Sequence, residues 1–425
     1  MKKTRKFFTA SLILFPILNS AHIGNLNFGF GDAFLVLAYG IALLSHANKI
    51  KCGINKDSIT FWPFVIYLIV ITIINCSTIP SFKFSSIFMP IIRYTFYGIV
   101  LYSNRKFFDR EFGKKFYINT CVIEALYGLL QFAITIIAGI ALPYVLPFTT
   151  MEYGSYGADY NATVLWTMQN VDGMRLVGFF PEASHFAQYT IICIVFLLFT
   201  DDKSKKNIIK LIIVSLAILL TKSSVGIICY GIILIYYMMT EKHMSAKKLF
   251  TRIALLVLAT FALLIIGNKM NILDFIRERL SQINERTYAV SGNIRIIRGF
   301  LIYGEAPLHI KIFGIGCGNY VNFIDYYHIK TFFDLVMDRN NEYMNAFSLL
   351  LIRSGIVGTG IFSVFAGKLF MKINREQKAI FYVWILLLFT ENIFFSPIFV
   401  LLLWFMMPQH GNHDEPSRKF GKISS

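Results

Sequence analysis

Apolar residues in this chain come in long continuous runs and not in the spaced pattern of a soluble amphipathic helix. Runs near 7–24, 30–46, 59–75, 86–103, 116–140, 183–200, 208–221, 225–240, 250–267, 343–370, 379–395 and 397–408 approach the roughly 20 residues that carry a helix across a bilayer. The pattern predicts an all-α polytopic membrane protein with about twelve transmembrane helices. The first run follows Lys2, Lys3, Arg5 and Lys6 in the manner of a signal peptide. No small-residue cleavage site with a polar sequence behind it follows, so this run is expected to remain as an uncleaved span. The short runs 208–221 and 225–240 predict a helical hairpin around Thr221-Lys222-Ser223-Ser224, and the last pair is expected to hinge at Pro397. No internal repeat is visible.

Composition agrees with this and removes an alternative. The 425 residues are 56% hydrophobic and 15% charged, with a formal net charge of +17. Such a charge by itself suggests nucleic-acid binding, but the basic residues sit between apolar runs and build no aqueous basic face, so no nucleic acid is expected as a partner. Of the 41 Lys and Arg, 27 fall in the segments 2–6, 49–56, 105–115, 203–210, 242–252, 368–378 and 418–422, against Lys83, Arg175 and Lys222 in the short loops between them. This partition follows the positive-inside rule and predicts both termini in the cytoplasm. The expected organisation is spans one to five in 1–140, an outer loop 141–182, spans six to nine in 183–267, one large extracytoplasmic loop 268–342, spans ten to twelve in 343–408 and a cytoplasmic tail 409–425. The six cysteines show no CxxC or metal-ligand spacing and predict no disulfide framework.

Polar residues concentrate in the two outer segments. The first runs through Tyr153, Tyr156, Tyr160 and Trp166 to Arg175 and then Gly178-Phe179-Phe180-Pro181-Glu182-Ala183-Ser184-His185. Pro181 disfavours helix before it, and Glu182 or Ser184 suits a helix start. A carboxylate, a hydroxyl and an imidazole are thereby set at a helix N-terminus, with His185 and Tyr189 on one face. The bland alternative is that Glu182 and Ser184 only cap, that His185 is a satisfied buried histidine and that Arg175 meets lipid phosphate.

In the second segment, Ile272, Phe275, Ile276, Leu280 and Ile283 lie among charged residues and predict an amphipathic helix on the membrane face. Arg295 and Arg298 follow, and at i, i+3 they would project from one helix face and suit a diphosphate; a solvated face or lipid head-group contact accounts for them equally. The glycines of Phe313-Gly314-Ile315-Gly316-Cys317-Gly318-Asn319 read as a tight backbone turn, because no strand precedes them and no Rossmann helix follows. Asp334, Asp338 and Glu342 would align if helical and offer oxygens to a hard cation. Arg339 and Asn340-Asn341 explain the same run as a polar helix start, and neither a metal nor a cofactor is expected.

Together, Arg175-x-x-Gly178-Phe179-Phe180-x-Glu182-x-Ser184-His185-Phe186-Ala187-x-Tyr189, the Gly314–Asn319 stretch, and Asn341-Glu342-Tyr343-Met344 leading to Ser354-Gly355-Ile356-Val357-Gly358 resemble bacterial O-antigen polymerases of the Wzy type and the related O-antigen ligases. The resemblance implies a GT-C-like fold and metal-independent transfer of undecaprenyl-diphosphate-linked oligosaccharide at the outer face of the bacterial plasma (inner) membrane. A chain-length regulator and a flippase are implied as partners beside the membrane lipids. Arg175, Arg295 and Arg298 would hold the diphosphate, with Ser184, Tyr189 and Asn341 against substrate and the loop aromatics stacking on sugar. Where the ligases and many polymerases show His-Asn, this chain has Asn340-Asn341, which moves the expected base to Glu182, His185 or Glu342. A ligase and a flippase of lipid-linked sugars are the competing readings, although a transporter usually shows internal repeats.

Overall fold

The computed structural model describes residues 2–19, 21–22, 29–45, 60–102, 107–140, 142–143, 150–151, 175–202, 204–240, 291–335, 338 and 341–407. The predicted span 250–267, the predicted amphipathic helix beginning at Ile272, the aromatic residues Tyr153, Tyr156, Tyr160 and Trp166, and the tail 409–425 lie outside the described residues. Within them the protein is helical, apart from a two-residue antiparallel pairing of Ala21–His22 with Thr150–Met151.

The apolar runs form helices as their hydropathy dictates. They are α1 (Lys2–Leu18), α2 (Phe30–Leu44), α3 (Trp62–Thr78), α4 (Phe84–Tyr102), α5 (Arg110–Ala138), α6 (Ala183–Phe199), α7 (Lys205–Leu220) and α8 (Ser224–Thr240). After the second outer segment come α9 (Ser291–Glu305), the short α10 (Leu308–Phe313) and α11 (Tyr320–Tyr326), and then α12 (Ala346–Lys372), α13 (Arg375–Thr390) and α14 (Pro397–Met406). Three of these, α4, α5 and α12, are long and apolar enough to cross a membrane. Helices such as α3 and α6, with 17 residues each, reach about 25 Å at 1.5 Å per residue, just short of a ~30 Å hydrocarbon core.

Boundaries shift from the predicted runs wherever a capping side chain decides them. Asp109 accepts a hydrogen bond from Phe112 N and starts α5 at Arg110, six positions before the apolar run. Asn374 and Gln377 form a reciprocal capping box that starts α13 at Arg375. Ser396 caps α14 ahead of Pro397, and α7 and α8 make the expected hairpin, with Lys222 in the left-handed region at φ 49°.

Helices α6 and α14 are apolar on every side and lie at the centre, with Ile191–Leu198 and Ile398–Met406 buried. Around them, α3 exposes Ile66, Val70, Ile73 and Ile74, α5 exposes Ile123, Leu126 and Leu130, and α7 exposes Ile208, Ile209 and Ile212. Apolar faces of this extent are unsuited to water and suited to lipid. Hydrogen bonds tie the helix ends into two groups. Arg5 donates to Phe108 O, Lys114 and Arg110 reach Glu376, and Arg375 donates to Thr240 Oγ1. The opposite ends of α6, α7, α12 and α13 carry the polar cluster described below.

Helix α12 is broken at Gly355 (φ 61°, ψ −172°), nine residues and about 14 Å from its start. The break frees carbonyls that an intact helix would use, and the glycine turn supplies their donors: Ile315 N to Ile352 O at 2.9 Å and Gly316 N to Arg353 O at 2.8 Å. Asn75 donates to Gly314 O and Tyr67 to Phe313 O from α3. Irregular backbone at such depth is tolerated when protein satisfies it. A Cβ at Gly314 would lie 2.3 Å from Arg353 O, and one at Gly355 would lie 2.3 Å from Ile312 O, each at a positive φ. The turn reading of this motif is therefore realised as close backbone docking.

Replacing Gly355 or Gly314 by Ala is expected to cost at least the ~1–3 kcal/mol of a strained backbone residue and to lower the apparent melting temperature sharply. Gly360→Ala, on the same helix with open space at its Cβ, should be neutral or slightly stabilising. Thermal unfolding of the three purified variants followed by size exclusion checks this; equal melting temperatures would refute the docking argument.

Candidate functional site

Pro181 sets the chain outside helix, and α6 begins after Glu182, whose extended backbone (φ −139°, ψ 152°) makes it the N-cap. Its side chain makes no capping hydrogen bond. The carboxylate turns instead to Arg295, which lies on α9 and is 113 positions away in sequence, at 2.9 Å from Nη2. Ser184 Oγ donates to the same oxygen at 3.0 Å. Arg295 Nη1 meets a second carboxylate, Glu391, at 2.7 Å, and its Nε donates to the Tyr343 hydroxyl. The Tyr343 ring also lies against the guanidinium, 4.7 Å from centroid to Cζ.

This arrangement spends every donor edge of one arginine on two carboxylates and a phenol. Glu391 is buried, with 4% of its side chain exposed, whereas Glu182 is 36% exposed and Arg295 13%. Burial alone would raise the Glu182 carboxyl, but His185 and Arg295 beside it and the hydrogen bonds from Arg295 and Ser184 hold it down at about 2. Burial disfavours the charged form of Arg295, yet Glu391 and Glu182 together raise its pKa above the ordinary arginine value. The cluster of Glu182, Glu391 and Arg295 with His185 alongside can exchange a carboxylate for another anion and can accept a proton.

A second arginine pair adjoins the first through the chain. Arg353, buried in α12, donates to Glu342 and to the Tyr94 hydroxyl. Arg298, fully buried on α9, donates to the carbonyls of Asn341 and Asp338. Asn341, Glu342 and Tyr343 thus receive Arg298, Arg353 and Arg295 in turn. Asn345 extends the crosspiece: its Nδ2 donates to the carbonyls of Arg295 and Ile296, its Oδ1 caps α12 by accepting from Ser348 N, and Ala346 N donates to Glu391 O.

Of the residues expected from sequence, the structure therefore brings together Glu182, Ser184, His185 and Arg295. Glu342 stands one residue from Tyr343 with Arg353 as its partner. Arg298 shares a helix with Arg295, but its guanidinium is turned onto backbone, and Asn341 takes part through its carbonyl. Arg175 donates from Nε to Thr221 O at the α7–α8 turn, 3.0 Å away, so Arg175 and Arg295, both expected with Arg298 on the diphosphate, are held by different elements. Tyr189 is fully buried, donating to Ile13 O and packing on Tyr117 and Phe180; it faces the core. Asp334, Asp338 and Glu342 do not share a helix. Asp334 closes its own 3₁₀ turn by accepting from Thr331 N and Oγ1, and the conditional alignment for a cation is not realised. Among the described residues no group of three or more His, Cys, Asp or Glu is placed to hold a metal ion.

Glu391 and Arg353 were not among the expected site residues. The signal for both is in the sequence: each is an isolated charge within an apolar run, and charges at membrane depth are costly enough to need a partner. No family model, no curated protein and no solved structure matches the chain.

The low Glu182 value predicts a pH dependence. A carboxylate near 2 in the fold and near ~4.3 unfolded stabilises at neutral pH, and that contribution is lost as pH falls from about 4.5 toward 2. Wild type should therefore exceed Glu182→Gln in melting temperature at pH 7, and the gap should narrow below pH 4.5. A gap that stays constant to pH 3 would show that the carboxylate is not held by Arg295.

Proposed function

We infer that this chain is a membrane glycosyltransferase that polymerises undecaprenyl-diphosphate-linked oligosaccharide repeat units at the outer face of the bacterial plasma membrane, as the resemblance to O-antigen polymerases implies. The observation that carries the reading is the Arg295–Glu182 contact. It unites the two polar outer segments, 141–182 and 268–342, and it sets a diphosphate-compatible cation beside a carboxylate, a hydroxyl and an imidazole. The product is O-antigen, capsule or another exopolysaccharide.

The chemistry asks little beyond placement. Undecaprenyl diphosphate is a good leaving group, so the protein needs charge stabilisation on the departing diphosphate, orientation of two lipid-linked sugars and one general base. Arg295 answers the first need, and Glu182 or His185 the last, without a metal ion. The proposed topology is about twelve spans with a large outer loop and both termini cytoplasmic. Supporting it, Arg5, Arg110, Lys114 and Arg375, assigned inside, bond to one another's segments, while Arg175, Glu182, Arg295 and Glu391 gather with segments assigned outside.

A strain lacking the gene should carry single repeat units on the final acceptor. Full-length chains retained on undecaprenyl diphosphate would make the protein a ligase instead, and repeat units trapped on the cytoplasmic side would make it a flippase. In purified form, polymer assembly should survive EDTA; a loss that Mg²⁺ or Mn²⁺ restores would overturn metal-independence.

A further inference from the structure

The two carboxylates on Arg295 are not equivalent. Glu391 is enclosed and also fixed through its backbone, which accepts from Ala346 N and donates to Leu387 O. Glu182 is the more exposed partner on the opposite terminal nitrogen; its backbone carbonyl accepts from His185 N and Phe186 N, but its carboxylate is held by Arg295 and Ser184 and by no helix amide. Carboxylate and phosphate oxygens both fit a guanidinium edge with charge-assisted hydrogen bonds. The position that the Glu182 carboxylate takes is bordered by the Ser184 hydroxyl and the His185 imidazole, each able to donate a hydrogen bond to an anion.

We propose that the Glu182 carboxylate and a phosphate group of the incoming lipid diphosphate compete for the same edge of Arg295, and that the displaced carboxylate is the base for transfer. Glu391 keeps the guanidinium in place through the exchange. Once off Arg295, Glu182 faces Glu391 and the Tyr343 phenol and becomes more basic. The acceptor hydroxyl oxygen then bonds to the donor anomeric carbon. The bond from that carbon to the diphosphate oxygen breaks with its electron pair, and the hydroxyl proton passes to Glu182 and on to water. The identity of the anion rests on the polymerase reading above; the competition is a property of the site.

The test is binding of inorganic pyrophosphate and of undecaprenyl diphosphate to the purified full chain, with polymer assembly measured in parallel. Glu182→Gln should bind both probes about tenfold tighter, because the competing state is removed, while assembly falls. Glu182→Asp, which keeps the charge on a shorter stem, should lie between. Glu376→Gln, which removes a carboxylate held by Lys114 and Arg110 at the opposite helix ends, should stay within about twofold of wild type. In the Glu182→Gln/Arg295→Gln pair, the gain should vanish. An affinity of Glu182→Gln equal to or weaker than wild type overturns the exchange, as does an equal gain from Glu376→Gln. Loss of polymer in the deletion strain with unchanged Glu182→Gln affinity sinks the exchange and leaves the polymerase reading intact. A deletion strain that still polymerises, with the affinity gain present, sinks that reading and leaves the exchange intact.

Discussion

A guanidinium held largely out of water cannot remain without compensation, and Arg295 meets this constraint with two carboxylates that are far apart in the sequence, Glu182 and Glu391. Removing one partner of such a pair typically costs about 3–5 kcal/mol, because the other charge stays buried. The α6 N-terminus, α9 and the turn between α13 and α14 are consequently tied to one point. Helices that lipid would leave free to slide past one another are fixed in register there. Association between helices in a bilayer gains little from apolar burial, so polar contacts of this kind carry unusual weight in deciding which helix ends meet.

The crosspiece Asn341-Glu342-Tyr343 shows how a non-helical segment can survive beside such helices. Three arginines from two helices reach its carbonyl, its carboxylate and its phenol, leaving its polar groups satisfied. The glycine turn at Gly314–Gly316 solves the same problem with backbone alone, giving its amides to the carbonyls that the Gly355 break releases. Both motifs have structural work that places the Arg295 cluster. The glycines admit the backbone, the broken α12 sets Arg353 under Glu342, and Glu342 fixes the neighbouring Tyr343 against Arg295.

Asymmetry within the cluster gives it chemical range. A symmetric pair of enclosed carboxylates would only anchor the arginine. One enclosed and one accessible carboxylate make a cation that stays in place while its outer partner is open to exchange. The nearby hydroxyl and imidazole add donors without adding another fixed anion.

Among the described residues, the sequence by itself determined the long apolar helices, because hydropathy over about twenty residues is a local property. It also marked Glu182, Ser184 and His185 as a helix start, since Pro181 and a polar triplet act within one turn. Boundaries needed more, because the caps at Asp109, Asn345 and Asn374 override the edges of the apolar runs. Which charge meets which was decided by tertiary structure alone. Arg175, Arg295 and Arg298 are equivalent on paper as outer-segment cations, yet one binds the α7–α8 turn, one two carboxylates and one the backbone at Asn341. Nothing local distinguishes them, since the partner of a charge depends on which helix ends packing brings within about 3 Å, and that is set by the whole bundle at once.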